Sequence, residues 1–350
     1  MKAKWYEEVG QKRGENFISS RVRLARNWNE YAFPNRLDAN AAGELIGRLQ
    51  YGLDDVETVE GKHFRTMTLD RIKEIERLAL KERRLINATV AESKTPIGLM
   101  VSEEEDVSIL LNGDDHIRMQ FLAPGMALKE LWERADKLDD FISSRFNYAY
   151  DEKYGYLTSY PTNVGTGMRA NAVLHLPTLT KTNQIKELID GLEKFGVTIR
   201  SVYGNEKENF GALYDISNTK TLGMSEKEIV DLVMRIANQL NEKESQLREN
   251  GIERHYILKQ DEAFRAYGVL KYARTMRLNS ALTFLSQMRA GIADGLIRLE
   301  EGSEYSVYRM MIEIQAGNLM LNTEKPMDKH ELDVFRADYL REHLPKIKEA

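Results

Sequence analysis

Tyr160-Pro161-Thr162-Asn163-Val164-Gly165-Thr166-Gly167-Met168-Arg169-Ala170-Asn171-Ala172-Val173-Leu174-His175-Leu176-Pro177 reads as a glycine turn that feeds a strand. Gly165-Thr166-Gly167 makes the turn, and Arg169 opens an extended run whose strand signal lies at 171–176. Glycine lets a backbone approach a ligand closely, so the turn is a candidate binding element. It matches neither the Walker pattern G-x-x-x-x-G-K-S/T nor the dinucleotide pattern G-x-G-x-x-G.

Around this stretch, strands and helices mix. Strand signals recur at 197–203 and 213–217, and a helix at about 181–194 carries Ile185, Leu188, Ile189 and Leu192 on one face. Upstream, 97–101 and 107–111 are short apolar runs joined by Ser102-Glu103-Glu104-Glu105-Asp106, the pattern of two strands and a tight acidic turn. A helix is expected from Met126 to about Phe146. Residues 38–95 read mainly as helix, with Ala41, Leu45, Ile46 and Leu49 at helical spacing, and 1–20 read as a lead-in. Hairpins in place of regular strand–helix–strand alternation predict, over about 20–220, an α+β domain built on a mainly antiparallel sheet flanked by helices.

Beyond Leu222-Gly223 the pattern turns helical. Ser225-Glu226-Lys227-Glu228 is a capping box, and Ile229, Leu232, Val233, Ile236 and Leu240 form an apolar stripe. Further helices are expected at about 260–276, 279–295, 304–317 and 329–344. The polar stretch 241–255, which holds Gly251, is the expected boundary. It divides the chain into 1–245 and an all-helical 246–350.

Composition narrows the function. Of 350 residues, 42% are hydrophobic and 30% charged, as in ordinary globular proteins. No run approaches the ~18 apolar residues of a membrane span, and acids near Met1 replace the apolar core of an export signal. Cysteine is absent, which excludes disulfides, thiolate metal sites and a cysteine nucleophile. These features predict a cytoplasmic protein with no membrane partner. The net charge of −5 argues against a nucleic-acid partner. An anion site in such a chain must be a local cluster of arginines.

Three further segments carry chemistry. In Ser19-Ser20-Arg21-Val22-Arg23-Leu24-Ala25-Arg26-Asn27, Arg21 and Arg23 are two apart. On an extended segment they would point to one side and form a phosphate clamp. The alternative is a solvated basic patch. Asn112-Gly113-Asp114-Asp115-His116-Ile117-Arg118 follows an apolar strand, where carboxylates and an arginine build a site as readily as an ordinary polar turn. His116 has no second histidine at ligand spacing, so no metal site is expected there. The polar segment from Arg200 to Gly211 fits either a mobile lid or a plain surface hairpin.

Taken together, these motifs resemble the guanidino (phosphagen) kinases. Ser-Ser-Arg-Val-Arg-Leu-Ala-Arg-Asn, Asp-His-Ile-Arg and Pro-Thr-Asn-Val-Gly-Thr-Gly-Met-Arg-Ala stand in that family's order. Leu24-Ala-Arg-Asn27, Tyr156-Leu-Thr-Ser159, the helical C-terminal part and the lack of a long N-terminal helical domain are similar to the bacterial protein-arginine kinases. The resemblance covers nearly the whole chain. It implies a kinase that uses ATP and Mg²⁺ to phosphorylate arginine side chains of proteins. It also implies marking for a Clp-type protease in a stress response, an activator protein, and a homodimer held by the helical part.

The resemblance assigns the residues. Arg21, Arg23, Arg118, Arg169 and Arg200 would cradle the phosphates. Ser19, Ser20, Val22, Ala170, Asn171, Ala172, Val173, Tyr203 and Asn205 would complete the nucleotide site. Arg84 stands where the family often places a histidine against adenine, and a guanidinium plane also stacks on a base. An ATP triphosphate carries about four negative charges, and phosphoryl transfer needs preorganised positive charge more than covalent help. Mg²⁺ would arrive with ATP, held mostly by phosphate oxygens and water. Asp114 and Glu208 would orient the acceptor guanidinium, a poor nucleophile that must lose a proton during transfer. In the terminal helix, Asp333, Arg336 and Ala337 match a phosphoarginine-binding motif. A packing role for that helix, with Leu332, Phe335, Tyr339 and Leu340 inward, is the alternative.

Four departures bear on this. The family's reactive cysteine is Tyr160 here, and a phenol of pKa ~10 is no anion at neutral pH. The family's acidic pair is Gly113-Asp114, one methylene shorter at the base, and ~1 Å at a reacting centre costs on the order of 10²-fold. The third is the histidine-to-Arg84 exchange already noted. The leading arginine of the phosphoarginine motif is Leu332. The second reading is therefore a catalytically weak or inactive relative that serves as an ATP- or arginine-binding adaptor.

Overall fold

The computed structural model describes residues 3–8, 16–204, 208–301, 303, 306–323 and 325–348. Its strands are β1 (Phe17–Arg26), β2 (Phe64–Thr68), β3 (Gly98–Ser102), β4 (Val107–Leu111), β5 (Ile117–Pro124), β6 (Tyr150–Asp151), β7 (Gly155–Tyr156), β8 (Met168–His175), β9 (Val197–Ser201) and β10 (Leu213–Asn218). Eight form one sheet in the order β2-β3-β4-β5-β1-β8-β10-β9, and β6 pairs with β7 separately. The β2–β3, β3–β4 and β4–β5 pairs are antiparallel, with Met100 opposite Ile109 and Leu110 opposite Arg118. This is the expected α+β class, with a helical C-terminal region.

The chain divides into two compact units. The first comprises Met1–Trp5, Ser20–Asn171 and Ser217–Met234; the second comprises Tyr6–Ser19, Ala172–Ile216 and Arg235–Ala350.

In the first unit, alternation along the strands builds the core. Val22, Leu24, Ile109, Ile117, Met119 and Phe121 are fully buried, each stabilising the fold by about 1.5–3 kcal/mol relative to exposure. The helix Leu128–Ser143 packs against β5 through an apolar face of Leu128, Leu131, Ala135, Leu138 and Ile142. The helix Ala39–Gly52 buries Ala42, Leu45, Ile46 and Leu49. Asp38 caps it by accepting hydrogen bonds from the Asn40 and Ala41 amides.

The second unit's helical part contains most of the 47-residue helix Glu226–Tyr272, the helices Leu278–Ala293, Val307–Glu313 and Ala316–Thr323, and the terminal helix Lys329–His343. Leu240, Ala263, Leu270, Leu282, Leu285, Met288 and Ile312 line its interior.

The structure corrects several expectations. Residues 38–95 are not mainly helix throughout: β2 lies within them, a largely exposed edge strand with no apolar alternation to betray it. β1 runs Phe17–Arg26, so it begins inside the expected lead-in and carries Arg21 and Arg23 on an extended segment; β5 starts at Ile117, within the polar segment 112–118. The polar stretch 241–255 is helical, because its Glu, Lys, Gln and Arg residues favour helix and one glycine costs only about 1 kcal/mol. The expected boundary at 245/246 lies within this helix, whose course breaks at His255 (φ −139°, ψ 38°). The helix expected over 304–317 is two, broken between Glu313 and Ala316.

Candidate active site

β1 sets the first feature. Arg21 and Arg23 alternate with fully buried Val22 and Leu24, so both guanidinium groups lie on one face, as strand spacing requires. The opposite face of β1 meets the helix Leu128–Ser143. Arg26 on that face donates to both oxygens of Asp139, and Ser20 Oγ donates to the Gly125 carbonyl and accepts from the Ala127 amide. On neighbouring β5, Phe121 faces the same helix, with the Arg134 guanidinium 5.5 Å from its ring centre. Arg118 and Gln120, offset by one, therefore lie on the other face with Arg21 and Arg23. Gln120 Nε2 donates to the Arg84 carbonyl at 2.8 Å, which holds residue 84 on that face too. Arg84 itself adopts left-handed backbone (φ 66°), uncommon for a non-glycine residue.

Arg118 is largely buried and donates to Asp114 Oδ2 at 3.1 Å. Burial pushes its pKa below the ordinary arginine value, against the pull of Asp114 and Asp115. Asn87 Nδ2 donates to the same Asp114 oxygen at 2.9 Å. A Cβ at Gly113 would lie 2.4 Å from Leu110 Cδ2, so the first acid of the family's pair could enter there only if Leu110 moved. His116 is a core residue: its Nδ1 accepts from the Trp28 amide, which leaves Nε2–H to donate to the Ala32 carbonyl. Burial lowers its pKa and keeps it neutral at pH 7.

Asp115 joins this loop to the one that bears Tyr160. Its Oδ1 accepts from Asn27 Nδ2 and from the Ser159 amide, and Asn27 also donates to the Leu157 carbonyl. Thr158 Oγ1 donates to the Tyr160 carbonyl, while Arg169 reaches Asn163 Oδ1 and the carbonyls of Thr162 and Asn218. The Tyr160 side chain stays 50% exposed. The glycine turn approaches the chain itself rather than open space. A Cβ at Gly165 (φ 113°) would meet the Thr221 carbonyl at 2.4 Å, and one at Gly167 (φ 63°) the Ala25 carbonyl at 2.6 Å.

The other assigned residues fall as follows. Val22, Ala170 and Ala172 are fully buried and alternate with Arg21, Arg23, Arg169 and Asn171. Asn171 and Val173 are buried, Ser19 is buried within the second unit, and the Ser20 hydroxyl is engaged in the 125–127 turn. Arg200 and Glu208 are exposed and belong to the second unit. There Gly204 and Asn209 form a bridge and the Phe210 amide bonds the Tyr203 carbonyl. Tyr203 accepts from Gln315 Nε2. Asn205 lies outside the described residues.

In the terminal helix, Arg336 is buried. Its Nε donates to the Ile314 carbonyl, and its Nη1 donates to the Met276 carbonyl and to Asp333 Oδ1. Ala337 is buried beside it, and Tyr339 and Leu340 face inward while Leu332 and Phe335 are half-buried. These bonds clamp the helix to two neighbouring segments.

Sequence reasoning missed Arg26. Its guanidinium is buried against Asp139, lies 3.4 Å from Glu226, donates to the Ala25 and Thr166 carbonyls, and sits 3.6 Å from the Tyr156 ring centre. It braces the glycine turn from behind. The missed Asn87 had one local signal, its position before the short helix Ala88–Glu92, which it caps.

Arg21, Arg23, Arg118 and Arg169 thus stand on three adjacent strands, β1, β5 and β8, with Asp114 tied to Arg118. Residues 52–247 match the ATP:guanido phosphotransferase C-terminal catalytic domain, and 258–350 match the protein-arginine kinase McsB C-terminal domain. The protein-arginine kinase of Caldanaerobacter subterraneus subsp. tengcongensis is 35% identical over 94% of this chain and 97% of its own length. That of Desulforamulus reducens is 37% identical over 99% and 96%. The crystal structure of lombricine kinase superposes with TM-score 0.58 at 21% identity over 70% of this chain and 71% of its own, a likeness of fold. The chain belongs to the protein-arginine kinase family. Among the described residues no helix is long and apolar enough to cross a membrane.

Proposed function

We propose that the protein transfers the γ-phosphoryl group of ATP to arginine side chains of other proteins. The observation that carries this is the one-faced set of Arg21, Arg23 and Arg118 on β1 and β5, with Asp114 held against Arg118. In this reading the three arginines, with Arg169 and Arg200, bind the triphosphate, which brings Mg²⁺ on its own oxygens. A nitrogen of the acceptor guanidinium attacks the γ-phosphorus as the bond to the ADP oxygen breaks. The proton leaves that nitrogen for a carboxylate, Asp114 or Glu208. Tyr160 stands beside the acceptor in place of a thiolate. The catalytic part would span 1–245 and the helical part 246–350, the latter supporting a homodimer. A cytoplasmic location, a stress role, an activator protein and delivery of marked proteins to a Clp-type protease follow by family likeness.

The test is incubation with Mg-ATP and an unfolded arginine-rich protein, followed by mass spectrometry for acid-labile phosphate on arginine. Phosphoarginine is expected. Tyr160, the shorter Asp114 and Leu332 favour one second reading, an adaptor that binds nucleotide but does not transfer. Nucleotide binding without phosphoarginine would establish it.

A further inference from the structure

Asp114 is held through a single oxygen. Oδ2 accepts from Arg118 at 3.1 Å and from Asn87 at 2.9 Å, and Oδ1 has no protein donor among the described residues. Asn87 is itself fixed. It caps the helix Ala88–Glu92, its Oδ1 accepting from the Val90 amide at 2.8 Å, which directs Nδ2 at Asp114. Leu85 and Ile86 beside it are buried, and Gln120 holds the Arg84 carbonyl. The segment 84–87 is therefore anchored to β5, the strand that carries Arg118.

The two donors differ in kind. Arg118 is a cation whose burial is only partly compensated, so a polyanion arriving on that face competes with Asp114 for it. Asn87 is neutral and has no such competitor. We propose that Asn87 is a positioning residue for the phosphoryl transfer: it keeps Asp114 aimed, with Oδ1 free for the acceptor guanidinium, once nucleotide phosphates engage Arg118. This deepens the proposed function and rests on Asp114 acting there. A neutral amide fixes the carboxylate without a full charge that would depress its basicity.

Asn87→Asp and Asn87→Ser separate this role from capping, because both residues are good N-caps while neither offers the amide donor. Both variants should melt within a few degrees of the parent and bind a fluorescent ATP analogue equally well. Turnover on an unfolded arginine-rich protein should fall roughly tenfold to a hundredfold with KM for ATP unchanged. Asp should be the worse of the two, since it sets a carboxylate against a carboxylate. Asp114→Asn serves as the reference. If it abolishes transfer while both Asn87 variants turn over like the parent, the positioning role is wrong and the site stands. If Asp114→Asn itself transfers normally, the site and the role fall together.

Discussion

Arg26 and Arg118 are both buried guanidinium groups on neighbouring strands, each paired with an aspartate, and their surroundings differ in number. Arg26 meets Asp139 through three contacts, lies near Glu226, donates to two carbonyls and stacks on Tyr156. Burial alone would lower its pKa, but these partners outweigh burial and raise it. Arg118 bonds only Asp114 among the described residues, and burial prevails. The saturated cation is architecture. The under-compensated one, on the face it shares with Arg21 and Arg23, has capacity left for an anion.

The largest effect expected from breaking this comparison is at Asp114. On the proposed reading Asp114→Asn removes one of the two carboxylates offered for the acceptor's proton, and transfer should fall by on the order of 10²–10⁴-fold. The same change releases Arg118 from its counter-charge, so nucleotide affinity measured by equilibrium titration should hold or rise. A parallel loss of nucleotide binding would mean that the pair is structural, like Arg26 and Asp139.

Next comes the architectural cation. Arg26→Ala strands Asp139 in a buried site, and breaking a buried pair this way costs about 3–5 kcal/mol. Chemical denaturation should show a loss of that order. An effect below about 1 kcal/mol would place Arg26 among ordinary surface pairs. Arg118→Ala should do the reverse, lowering stability little, because an under-compensated buried charge is removed, while weakening nucleotide binding at least tenfold. If Arg118→Ala unfolds the protein and leaves nucleotide affinity intact, the comparison is inverted.

This contrast explains what could be read from the chain. The Arg21/Arg23 spacing holds because alternation is local to β1, and the glycine turn is legible because Gly165 and Gly167 need backbone that few other residues adopt. What was misread is the target of the glycines' close approach, the chain's own carbonyls at Ala25 and Thr221. Arg26 looked like one more member of a basic patch, since its partners Asp139 and Glu226 lie 113 and 200 residues away. Asn87 was invisible for a similar reason: a cap is readable, but the acid its amide reaches lies in another loop. β5 hid behind its polar start, and the helix through 241–255 behind a polar composition that suits linkers and exposed helices alike.

The smallest predicted effect concerns His116, in the same loop as Asp114, where the outcome of burial is neutrality. Burial lowers its pKa, opposed by its bond to the Ala32 carbonyl and by Asp115. The unfolded chain's histidine titrates near 6.5. Above that pH both states are neutral and His116 contributes no pH dependence. Below it the unfolded state takes up a proton that the folded state does not, so stability falls as pH falls, by about 1.4 kcal/mol per pH unit until the folded group titrates. His175, buried against Arg289 and also depressed, adds to the same slope. His116→Asn should therefore start less stable at pH 7, having lost a paired core side chain, yet lose about one proton's worth less stability between pH 6.5 and 5.5 than the parent. Parallel stability curves for the two proteins over that interval would show that His116 is protonated in the fold, and that burial in this loop is too weak to leave Arg118 under-compensated.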